Sequence, residues 1–180
     1  ILEISTLNKI NKELSKPNSL IFVKDFTRAL ATSFEHLTKF FGKDERENIA
    51  FHSLITLGGF SIAIPFILKA YRFGLDTQAI GKLCIGFEAI ILRNRLVGTR
   101  ADMAARLQNT YVNFKDSNID INPIIDKIDE LKTAKHWWWA HWNNVEFSKS
   151  LQGKVSHATA KFLLWKYETH LETQGNKGYV

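Results

Sequence analysis

The side chains in this 180-residue chain best suited to chemistry are four arginines gathered around one predicted turn. Arg93, Arg95, Arg100 and Arg106 flank Val97–Gly98–Thr99, and Asp102 is the only acid among them. Guanidinium forks match phosphate oxygens, so arginines that converge at a helix–helix corner read as a phosphate-contacting, nucleic-acid-binding patch. The plainer reading is a solvated polar corner in which one arginine neutralises Glu88. That carboxylate lies between Phe87 and Ile90 in an apolar stretch, where desolvating a lone charge is costly and a partner is needed. Arg95, Arg100 or Arg106 is the expected partner, giving a structural ion pair. A general base at Glu88 is the sharper alternative, and it would require an open polar pocket around the carboxylate.

Other chemistry-bearing residues are scattered. His136 and His141 are five apart, off a common helical face, and no H-E-x-x-H arrangement occurs. His36, His52, His157 and His170 stand alone, so no metal site is expected. Asp126, Asp129 and Glu130 alternate with Lys127 and Lys132, the pattern of a solvated helix face. Gly58–Gly59 has neither the Lys-Ser/Thr of a phosphate loop nor dinucleotide-fingerprint spacing. The one cysteine, Cys84, lies in an apolar run and reads as a packed core thiol in a reducing compartment. Trp137, Trp138, Trp139 and Trp142 can stack nucleobases. Consecutive tryptophans point all round a helix, however, so the cluster is expected to anchor helices or domains together.

The elements that must hold these residues are helices. Leu2, Ile4, Leu7, Ile10 and Leu14 fall at helical spacing, and Pro17–Asn18–Ser19 breaks the run. A second helix is predicted over 20–41, closed by Gly42. Residues 49–68 carry no Asp, Glu, Lys or Arg, long enough for a membrane span. Scattered His52, Ser53, Thr56 and Ser61, with Gly58–Gly59 in the middle, instead predict two buried core helices. Asp76 or Thr77 caps a helix reaching Val97–Gly98, and Thr99 caps the next, to about Phe114. Asn122–Pro123 opens a helix through Lys132. The tryptophan run leads a helix through Leu151, and Ser156 caps the last. The expected fold is all-α, a bundle of eight or nine helices in one domain spanning 1–180, with 118–122 as the alternative boundary.

Composition agrees with a packed helical domain. Hydrophobic residues make up 45%, charged residues 23%, and only three Pro interrupt the chain, which excludes disordered and fibrous classes. The net charge of +6 permits a nucleic-acid partner without requiring one. The first residue is Ile1, and Met103 is the only methionine, so a piece of a longer cytoplasmic protein is expected.

Residues 87–102 read FEAIILRNRLVGTRAD. This stretch resembles the helix pair, written E…R.R..GTRAD, of GmrSD-like proteins, which are multidomain modification-dependent (type IV) restriction endonucleases of phage defence. NIAFHSLITLG over 48–58 and IPFILKAY over 64–71 are similar to that family's central helical region. WWWAHWNN over 137–144 and AKFLLWKYE over 160–168 resemble segments ahead of its nuclease domain. The resemblance covers roughly residues 20–180 and rests on fold-type rather than catalytic motifs. It implies an N-terminal ParB-like domain that hydrolyses a nucleoside triphosphate around D-G-Q-Q-R, and a C-terminal HNH domain that cuts DNA with a divalent metal. Neither signature occurs in this chain. The resemblance therefore implies a non-catalytic helical connector with no cofactor of its own. Its partners would be the flanking domains and DNA, Arg93, Arg95, Arg100 and Arg106 making the contact. The competing expectation is a protein–protein interaction module, docking through Trp137, Trp138 and Trp142, with no nucleic-acid role.

Overall fold

The computed structural model describes residues 2–42, 47–135 and 141–174, with side chains described from Thr6 onward. The fold is all-α. Nine α-helices lie among the described residues: α1 (Leu2–Leu14), α2 (Ser19–Phe41), α3 (Ile49–Leu57), α4 (Ile64–Arg72), α5 (Thr77–Val97), α6 (Met103–Asn113), α7 (Asn122–Thr133), α8 (Asn144–Leu151) and α9 (His157–Thr173), with a 3-10 turn at Phe60–Ile62. The only strand-like pairing among them is an isolated bridge between Lys115 and Asn118.

The chain divides into two compact units, Ile1–Gly42 and Lys43–Val180. The division falls after Gly42; residues 118–122 lie inside the second unit. The first unit is the α1–α2 hairpin. Pro17 stops α1, because a proline ring cannot donate to the helical ladder, and Ser19 N donates to Lys16 O across the turn at 3.0 Å. Along α2 the apolar residues Val23, Phe26, Leu30 and Phe34 stay exposed.

In the second unit α5 is the axle. Ile80, Leu83, Cys84, Phe87, Ile90, Ile91 and Leu92 are all buried, so most of the helix surface must be covered by neighbours, with Lys82 and Ile85 left exposed. Its main neighbours are α3, α7 and α8, and α9 rests on α3. Each buried Phe, Leu or Ile side chain contributes roughly 1.5–3 kcal/mol. Close approach is set by small residues. A Cβ at Gly86 would lie 3.2 Å from the Cδ1 atoms of both Ile125 and Ile128 on α7.

Local signals account for the helix ends. Asp76 Oδ1 accepts from Ala79 N at 2.7 Å, Asn48 Oδ1 from Ala50 N at 3.0 Å, and Ser156 Oγ from Thr159 N at 3.3 Å, each satisfying an orphan N–H. The split at Gly58–Gly59 is also present, both glycines having positive φ. Three boundaries differ from the sequence expectation. Asp102, not Thr99, caps α6, since its carboxylate reaches Ala105 N while Thr99 Oγ1 is taken by Ala101 N. Ile121, not Asn122, is the N-cap of α7, and Asp120 accepts from Asn122 N. Asn143 caps α8, so Trp142 lies in the preceding turn rather than in the helix. Trp137, Trp138, Trp139 and His136 fall outside the described residues.

Substituting Gly86→Val should force α5 and α7 apart. Overpacking of this kind costs about 1–3 kcal/mol, so the urea midpoint should fall with little change in m. An unchanged midpoint would mean that Ile125 and Ile128 simply swing aside.

Candidate functional site

Polar side chains of α5 reach three neighbouring segments, and this is where the residues singled out in the sequence are found. Glu88 is buried on the face toward α3 and α9. Lys166 Nζ of α9 stands 3.1 Å from its Oε1 and donates to its Oε2 at 3.2 Å. The same ammonium donates to Ser53 Oγ of α3 at 3.0 Å. Glu88 therefore does form an ion pair, but with Lys166 rather than with Arg95, Arg100 or Arg106. The physical reason is helical direction: those arginines sit near or beyond the C-terminal end of α5, whereas α9 brings a lysine level with Glu88. Lys166 lies four residues after buried Phe162, on its inward-facing helical stripe. That spacing could have marked Lys166 as facing inward, but not which carboxylate it would meet. The Glu88 side chain is 10% exposed and that of Lys166 37%, so the pair is buried at one end and wet at the other.

Arg93 turns toward the turn before α8. Its Nη1 donates to Trp142 O at 2.9 Å, and its Nη2 to Asn144 Oδ1 at 2.8 Å. The guanidinium also lies over the Phe147 ring, 4.6 Å from its centroid. Burial lowers the Arg93 pKa from its ordinary value. The next residue, Asn94, accepts a bond from Trp142 Nε1 at 3.1 Å, and Arg106 sits over the Trp142 ring at 5.2 Å. Trp142 has no exposed surface. It anchors its own unit from inside.

Arg95 reaches back to the end of α3. Its Nη1 donates to Leu57 O at 2.7 Å and its Nη2 to Gly58 O at 3.0 Å. These are C-terminal helix carbonyls without an intrahelical donor, placed at the negative end of the helix dipole, where a cation is favoured. Gly59 has φ of +66° and a Cβ there would stand 2.9 Å from Arg95 Nη2, so glycine leaves the room the guanidinium occupies. Arg95 and Arg100 are both exposed, but Arg100 alone of the four makes no hydrogen bond, ion pair or ring contact among the described residues.

The arginine corner thus splits. Arg93 and Arg95 are directed at backbone carbonyls and an amide, Arg106 at an indole, and Arg100 at solvent. Among the described residues no three His, Cys, Asp or Glu side chains gather closely enough to hold a metal ion, and no helix is long and apolar enough to cross a membrane. Cys84 is buried. Comparison with protein-family models, curated proteins and solved structures finds no match for this chain.

The asymmetry of the Glu88–Lys166 pair gives a directional expectation. Lys166→Met leaves a buried carboxylate without its cation, and should cost about 3 kcal/mol, the low end of the range for broken buried pairs. Glu88→Gln leaves an ammonium that can turn to water and should cost nearer ~1 kcal/mol. Chemical denaturation of both variants checks the order; equal losses would contradict it. Gly59→Ala should likewise lower the melting temperature, by strain at positive φ and loss of the Arg95 contacts, on the order of 1–3 kcal/mol.

Proposed function

We propose that this chain is a helical connector module of a multidomain, GmrSD-like modification-dependent endonuclease in phage defence. In this reading it contacts DNA but carries no catalytic step itself. Nucleotide hydrolysis and metal-dependent cleavage then belong to flanking domains. The observation that carries the reading is the threefold clamping of α5, by Arg95 to α3, by Arg93 to the turn before α8 and by Glu88 to α9. Residues far apart in sequence are thereby tied to one axle, which suits a rigid body that transmits position between moving parts.

The alternative chemical use of these groups is disfavoured by their surroundings. A Ser–Lys nucleophile would need Ser53 Oγ open to substrate, and Ser53 has no exposed surface. It would also need Lys166 free to accept a proton, and its ammonium is engaged by Glu88. A general base at Glu88 meets the same obstacle, because the carboxylate faces a cation instead of an open pocket.

A second reading, an interaction module with no nucleic-acid role, draws support from the first unit. Leu20, Ile21 and Phe34 of α2 are 66%, 60% and 60% exposed, and hydrophobic surface of that kind marks docking faces. In this form the reading moves from the tryptophan cluster to α2.

Fluorescence anisotropy with a labelled duplex separates the two. The connector reading expects binding by the full chain near 50 mM salt that weakens at least tenfold by about 200 mM. It expects no cleavage product and no nucleotide hydrolysis when Mg2+ or Mn2+ and a nucleoside triphosphate are added. Absence of duplex binding at low salt, or cleavage that copurifies with the chain, would sink it.

A further inference from the structure

Arg93 and Arg95 are engaged with backbone carbonyls, and a second group of cations lies at the end of α4. Lys69, near the end of α4, points at the end of α6: its Nζ donates to Tyr111 O at 2.8 Å and to Phe114 O at 2.9 Å, and lies 3.8 Å above the Tyr111 ring. Arg72 follows one helical turn later on α4 and is exposed, and Lys115 directly follows Phe114 and is exposed too. Phe73 and Phe114 meet edge to face at 5.1 Å, which pins the end of α4 against the segment that carries Lys115. That segment is itself a closed turn, with Asn118 N donating to Lys115 O at 2.8 Å and Lys115 N to Asn118 O at 3.2 Å. Three cations thus stand on one braced corner.

Arg72 and Lys115 both lie close enough to Lys69 to repel it. The Lys69 pKa is lowered first by burial, then by the charges of Arg72 and Lys115. Some lysines elsewhere are offset by carboxylates one turn away, as in Lys127–Glu130 at 2.8 Å and Lys132–Asp129 at 2.6 Å. Among the described residues no carboxylate lies within ion-pair distance of Arg72 or Lys115. Asp116 is next to Lys115 in sequence and exposed, but forms no ion pair with it. Like charges held together without counter-charge cost stability unless an outside anion neutralises them.

We propose that the α4–α6 corner is the nucleic-acid-contacting site of this chain, with Arg72 and Lys115 binding backbone phosphates and Lys69 positioning the segment that presents Lys115. The site rests on the DNA-contacting part of the reading above, and it replaces the arginine corner as the place of contact. Phosphate contacts of this kind fix register on a duplex and read no sequence.

The test is salt-dependent binding of a random-sequence duplex by the full chain and by the double variant Arg72→Gln/Lys115→Gln, beside Arg100→Gln. The double variant should bind roughly tenfold more weakly at low salt. Its slope of log affinity against log salt should be shallower by about two, one unit for each phosphate contact removed. Its melting temperature should be unchanged or raised, because repulsion is relieved, whereas a purely structural role would lower it. Asp116→Asn should strengthen binding. Unchanged affinity and slope in the double variant, with loss in Arg100→Gln, overturns the site while leaving the DNA-contacting reading standing. No binding by the unsubstituted chain removes both.

Discussion

The second unit depends on enclosing α5. Ten of the 21 residues of this helix are buried, and α3, α7, α8 and their connections pack around its apolar faces, leaving Lys82 and Ile85 in water. Close packing at Gly81 and Gly86 brings α3 and α7 near the helix, and each polar group of α5 that is drawn into the shell must then find a partner there. Glu88, Arg93, Asn94 and Arg95 do so with three segments, Arg93 and Asn94 sharing the turn at Trp142. Their polarity, costly inside a core, becomes the means by which the surrounding chain is held in register.

One device recurs. The C-terminal end of a helix presents carbonyls with no donor, and here cations from another helix supply one. Arg95 does this for α3 and Lys69 for the end of α6. Each pairing combines hydrogen bonding with the favourable sense of the helix dipole, and each bridges segments distant in sequence. The difference lies in the surroundings. Arg95 donates to the carbonyls of Leu57 and Gly58, whereas Lys69 has two further cations nearby, Arg72 and Lys115, that have no carboxylate of their own. The same local arrangement thus makes a structural clamp at the end of α3 and, in the proposed site, an anion-attracting corner at the end of α6.

These features suit a body whose work is positional. The long-range bonds from α5 resist shear between α3, α8 and α9, and the cationic corner at the end of α4 lies apart from the clamps. The α1–α2 hairpin belongs to a separate unit with exposed apolar residues along α2, the character of a surface that meets another protein segment.

Much of this was written locally in the chain. Periodicity placed the helices, glycines with positive φ marked the break after α3, and short polar residues capped α3, α5 and α9, because such signals act within a few residues. The need of Glu88 for a cation was also legible, since it follows from a carboxylate in an apolar stretch. What tertiary structure alone decided was which cation answers it. Lys166 is 78 residues away, and no spacing rule reaches that far. Likewise the four arginines lie within fourteen residues of sequence, but Arg95 turns to α3, Arg93 and Arg106 meet Trp142, and Arg100 stays in solvent, because the end of α5 lies between α3 on one side and Trp142 on the other. The chain by itself determined where helices form and which residues must be buried; only packing determined how the buried charges pair and which cations stay in water.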